Sequence, residues 1–163
     1  MKISINPYDP KSIQKAIKLL EDYKKDFRVK EERFVKRLAD IGVSVARAGF
    51  LTADYDGDND VQVSMTHSGT KATVTAFGET VGFIEFGTGV KFPEWDSSGM
   101  DYTPPKHGTY GKGQGNNPHG WYFRVSDGAR ARHTYGNQPA DAMLTAREEM
   151  IERVMMIARE VWK

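Results

Sequence analysis

The stretch ADAMLTAREEMIERVMMIAREVW, residues 140–162, constrains the fold of this chain more than any other. Met143, Ala146, Met150, Val154, Ile157 and Val161 recur at three- and four-residue steps, the repeat of one helix face. Leu144, Ile151, Met155, Ala158 and Trp162 widen that face beyond a single seam. A helix so apolar on one side must lie against something. The methionines tolerate imperfect packing, so the face suits a core on one side and a partner on the other. Core is the favoured reading for most of it.

Two further helical patterns lie near the start. In YDPKSIQKAIKLLEDY, Asp9 is placed to cap and Pro10 suits the first helical position. Ile13, Ala16, Ile17 and Leu20 repeat at helical spacing behind them. VKEERFVKRLADIGVSVARAGF predicts a second, stronger helix with a stripe of Phe34, Leu38, Ile41 and Val45. Both stripes read as core. Next, Val61, Val63 and Met65 alternate, SGTK forms a turn, and Ala72, Val74 and Ala76 alternate again, which predicts a hairpin. WYFRVS (121–126) reads as a further strand.

Between these elements lies FIEFGTG, residues 83–89, where Glu85 interrupts an apolar run that stops on two glycines. The run is too short for periodicity to separate strand from helix. A short helix closed by Gly87 is favoured, because glycine adopts a left-handed cap easily. An unpaired buried carboxylate costs several kcal/mol (roughly;), which leaves two placements for Glu85. It faces water at an edge, or it accepts backbone N–H groups from the glycine turn or an Arg of another segment or subunit. Thr88 can join the turn through its hydroxyl. From Gly87 to Gly120 the chain turns rich in Gly, Pro and polar residues without sustained periodicity. Unstructured loops beyond roughly 15 residues are uncommon in compact domains and usually signal function or disorder.

At 163 residues the chain fits one domain, 1–163, with its own core. Its fold class is α+β: N-terminal helices, a small antiparallel sheet, a long loop over 87–120 and the C-terminal amphipathic helix. The absence of cysteine excludes disulfides and thiolate chemistry and suits a reducing cytoplasm. The N-terminus lacks the apolar region of a signal peptide, and no run reaches the ~18 apolar residues of a membrane span. Charge is balanced overall, with 23 Lys+Arg against 22 Asp+Glu, so a dominant basic nucleic-acid footprint is missing. It is nevertheless segregated: residues 1–50 carry net +5 and residues 51–90 net −5. Opposed patches steer docking between copies or partners, although neighbouring solvated faces are the commoner origin.

Several motifs lead nowhere. DYDGDND (54–60) spaces its carboxylates like the start of a calcium loop. Asn59, however, stands where the turn glycine belongs, and Met65 where the bidentate Glu belongs. HGTYGKGQG lacks the spacing and the Ser/Thr of a phosphate loop. His107, His119 and His133 form no short ligand pair, so neither a metal nor another cofactor is expected. The loop over 102–124 combines Gly, Lys and aromatic residues suited to stacking on single-stranded nucleic acid, the alternative reading of function.

VGFIEFGTGVKFPE resembles the central signature of bacteriophage head–tail joining or tail completion proteins, a neck family in which an aromatic run ends in Glu-Tyr/Phe-Gly-Thr-Gly. HTYGNQPADAMLTAREEMIERVMMIAREVW is similar to the family's Gly-x-x-Pro-Ala entry into a C-terminal helix. YGKGQGNNPHGWYF is similar to the loop of versions from Gram-positive prophages. The resemblance spans nearly the whole chain. It implies a structural virion protein and not an enzyme, made in the bacterial cytoplasm and placed at the head–tail interface as a ring of copies. Its partners would be copies of itself and other neck or tail proteins, with genome DNA only passing through the ring and no membrane involved. Glu85, Phe86, Gly87, Thr88 and Gly89 would set the departure angle of an assembly loop that orders against neighbours. Phe92, Trp95, Tyr110 and Trp121 are the expected interface anchors, because buried aromatics dominate such contacts.

Overall fold

The structure, a computed structural model, describes residues 3–88, 119–123 and 131–163. It opens with one helix where the sequence suggested two: α1 runs unbroken over Pro10–Leu51, 42 residues. Nothing between the two apolar stripes stops it, since residues 21–33 contain neither Gly nor Pro. The Asp9 side chain accepts the Lys11 N–H at 3.0 Å, and Pro10 occupies the first turn, as the sequence predicted.

A hairpin follows. Strands β1 (Gln62–Ser68) and β2 (Lys71–Phe77) pair antiparallel, with Val63 opposite Ala76 and Met65 opposite Val74. That register puts both alternating apolar sets on the face turned to α1. Helix α2 covers Val81–Phe86, and a second two-stranded sheet joins β3 (Trp121–Phe123) to β4 (Arg132–Thr134). Helix α3 (Ala142–Val161) closes the fold and packs along α1. The α+β class agrees with the sequence reading, but the element order departs from it: one helix replaces two at the start, and β4 forms in a stretch, 127–139, that reads as irregular in sequence.

The α1–α3 pairing is antiparallel. A Cβ on Gly49 would meet the Ala142 Cβ at 2.7 Å, one on Gly42 would meet the Met150 sulfur at 2.6 Å, and Trp162 packs edge-on to Phe34. The residues that vanish from solvent are mainly small. Ala46, Phe50, Val63, Ile84, Ala142 and Ala146 form the central cluster where α1, the hairpin, α2 and the start of α3 meet. The predicted stripe of Phe34, Leu38, Ile41 and Val45 is only half-buried. Of the α3 face, Ala146, Ile157 and Val161 are buried while Ile151 and Met155 stay exposed. The first stripe of α1 departs further from expectation. Ala16 is buried, but Ile13, Ile17 and Leu20 are exposed, because α3 ends at Val161 before reaching them. Among the described residues, no helix is long and apolar enough to cross a membrane.

Candidate functional site at the FIEFGTG turn

The turn is positioned by α2, whose cap residue Thr80 makes no side-chain capping bond. Asp60, just before β1 and so beside the exit of β2 at the open end of the hairpin, supplies the anchoring. Its carboxylate accepts the Glu79 N–H at 2.6 Å, the Thr80 N–H at 3.0 Å and the Thr80 hydroxyl. The Thr80 hydroxyl, followed by the Glu79 amide, holds the Asp60 carboxyl below its ordinary pKa.

Glu85 is 6 % exposed, so the edge placement is excluded. Its partners are backbone N–H groups, but not those of the glycine turn and not an Arg. The Met143 N–H lies 3.1 Å from each carboxylate oxygen and the Leu144 N–H 3.4 Å from Oε1. These are first-turn donors of α3, which no residue of that helix satisfies. Asp141, in the cap position, is left-handed (φ 48) and makes no capping bond. Glu85 therefore caps α3 from across the fold, with the helix dipole favouring its charge. Burial nonetheless pushes the Glu85 carboxyl up, partly offset by the amides of Met143, Leu144 and Ala142.

Asp141 bears the consequence. Its Oδ1 is buried without a hydrogen-bond partner. Desolvation first, then the charges of Glu85 and Glu148, raise its carboxyl to about 6.

The rest of the turn is docked on the segment 137–141. The Ile84 carbonyl accepts the Ala140 N–H at 2.9 Å, the Glu85 carbonyl the Asp141 N–H at 3.3 Å, and the Asn137 carbonyl the Thr88 N–H at 3.0 Å. The Thr88 hydroxyl donates to Asn137 Oδ1 at 2.5 Å and accepts the Asn137 N–H at 3.3 Å, and Asn137 Nδ2 donates to the Phe83 carbonyl at 3.0 Å. Thr88 and Asn137 are both buried. Gly87 follows α2 with φ 68 and ψ 169, so its backbone is positive-φ but not the left-handed cap expected. A Cβ there would sit 2.7 Å from the Asn137 carbonyl oxygen and from the Pro139 nitrogen. Only glycine fits.

The structure thus brings Glu85, Phe86, Gly87 and Thr88 together with Asn137, Pro139 and Asp141. Gly89, Phe92, Trp95 and Tyr110 lie outside the described residues, as does nearly all of the 102–124 segment of the nucleic-acid alternative. Trp121 is half-buried on β3 opposite Thr134. His107 also lies outside, while the His133 ring bonds the His119 carbonyl at 3.0 Å and packs between Tyr122 and Tyr135. No group of three or more His, Cys, Asp or Glu placed to hold a metal occurs among the described residues. Sequence reasoning missed Asn137 and Asp141 as partners. The only signal was the GNQPAD stretch itself, whose Gly-x-x-Pro-Ala spacing marks an irregular entry to a helix. Compared with family models, curated proteins and solved structures, the chain matches none.

Proposed function

We propose that this chain is a structural virion protein that joins or completes a phage tail at the head–tail interface, as a ring of copies. The supporting observation is the docking of the FIEFGTG turn on the segment 137–144. The two stretches that carry the resemblance to the neck family lie some fifty residues apart (Glu85 and Met143 are separated by 58) and form one hydrogen-bonded unit. Buried carboxylate, positive-φ glycine and paired Thr88–Asn137 make that unit a fixed base from which residue 89 onward departs. Both Glu85 oxygens are taken up by helix N–H groups, which suits a structural role.

The test is deletion of the gene from its prophage, followed by induction and negative-stain electron microscopy of the lysate. DNA-filled heads lying apart from free tails are the expected result. Intact, infectious virions would overturn the reading.

A further inference from the structure

Two carboxylates are placed to cap α3, and the structure uses the more distant one. Asp141 holds the cap position itself: its carbonyl accepts the Thr145 N–H at 2.8 Å, and the helix starts at the next residue. An Asp in that position ordinarily has extended backbone angles, and its side chain accepts the N–H two or three residues further on. Those amides belong to Met143 and Leu144, the pair that Glu85 occupies from α2. Two side chains thus compete for one set of donors.

Asp141 is the displaced competitor. Its φ of 48 is the only positive value outside glycine among the described residues. Asp tolerates that region because its short side chain can bond locally. Here it makes no capping bond, and its Oδ1 is buried without a partner. Reaching the ordinary cap conformation takes a rotation of more than about 100° about the Asp141 N–Cα bond. Helix α3 is held against α1 by close packing at Gly42 and Gly49, so the chain that swings is 137–140. That segment carries the bonds that dock the turn: the Ala140 N–H to the Ile84 carbonyl, the Asp141 N–H to the Glu85 carbonyl and the Thr88 N–H to the Asn137 carbonyl. Capping by Asp141 and docking of the turn exclude each other.

We infer that α3 has two alternative caps, and that exchange between them is a latch on the FIEFGTG turn. In the closed setting, the one described above, Glu85 caps the helix and Gly87 and Thr88 are held on 137–141. In the open setting Asp141 caps α3 in its own right, and the turn comes free while the helix stays packed on α1. The first-turn donors of α3 have an acceptor in both settings, so opening leaves the helix intact and is a local event. The latch is a property of this chain's own residues and holds whether or not the neck reading does.

The test combines urea unfolding with amide hydrogen exchange on the full chain. Asp141→Asn and Asp141→Gly both remove the charge and tolerate φ 48, but only Asn keeps a capping oxygen. Each is made with Glu85 present and in a Glu85→Ala background. The ratio of the unfolding equilibrium constants, Gly over Asn, is expected to rise about fivefold when Glu85 is replaced, the size of one lost helix cap. The extra freedom of glycine in the unfolded chain is the same in both backgrounds and cancels. An unchanged ratio means that residue 141 never reaches the Met143 and Leu144 amides, and overturns the inference. A Glu85→Ala chain that does not fold overturns it too, since Asp141 then fails to replace Glu85. In the wild type, the Thr88 and Ala140 amides are expected to exchange at least about tenfold faster than that of Ile157 within α3, because the turn opens while the helix stays. Equal protection at all three would show that the junction opens only with the whole fold, and that no latch exists.

Discussion

Glu85 and Asp141 share the entrance of α3, and their different partners divide their roles. Glu85 has helix N–H groups on both oxygens, whereas Asp141 has a buried oxygen with none. Glu85→Ala strands the Met143 and Leu144 amides in a buried site, and urea unfolding should show a loss of about 1–3 kcal/mol. Asp141→Asn should act the other way. Asn tolerates φ 48 better than most residues and carries no charge to desolvate. Because the Asp141 carboxyl is only partly shielded from solvent, its shift to about 6 translates into a gain of about 1 kcal/mol rather than its full electrostatic equivalent. The sign of the pH dependence follows. The folded Asp141 holds its proton more tightly than the unfolded one, so its destabilising effect grows as pH rises from about 4 through 6 and is constant above. The Asp141→Asn gain should therefore be present at pH 7.5 and absent near pH 4, read from unfolding midpoints at the two values. Glu85 is raised as well and contributes in the same direction, while the lowered Asp60 loses its contribution as pH falls through its depressed folded-state pKa.

At the scale of elements, close approach governs. Helices α1 and α3 come together through Gly42, Gly49, Ala46, Ala142 and Ala146, and side chains this small leave no slack. Gly49→Ala would place a methyl 2.7 Å from the Ala142 Cβ and 3.0 Å from its Cα, so the helix itself must shift. Thermal unfolding should record a destabilisation of about 1–3 kcal/mol, despite the better helix propensity of alanine. Gly87→Ala combines a positive φ with a clash against the Asn137 carbonyl and Pro139. It should cost about 2 kcal/mol or more and release the turn from the 137–141 segment. Hydrogen exchange at the Thr88 and Ala140 amides, both donors across this junction, checks the release.

On the scale of the whole molecule, charge and apolar surface are polarised along α1, with the basic arm at one end and the aspartate-rich loop at the other. Much of this architecture was legible in the residues. Asp9-Pro10 starts α1, alternation marks the hairpin and its inward face, and the three- and four-residue steps mark α3, because caps and periodicities are local properties of a chain. The segregation of charge between 1–50 and 51–90 was equally plain. Other features were decided only in three dimensions. Whether the Ile13–Leu20 stripe joined the core depended on where α3 ended along α1, a length match between distant elements. The place of Glu85 in its run showed that a buried carboxylate would need donors. Those donors came from the start of a helix 58 residues away, and long-range pairing of that kind is written in no local pattern.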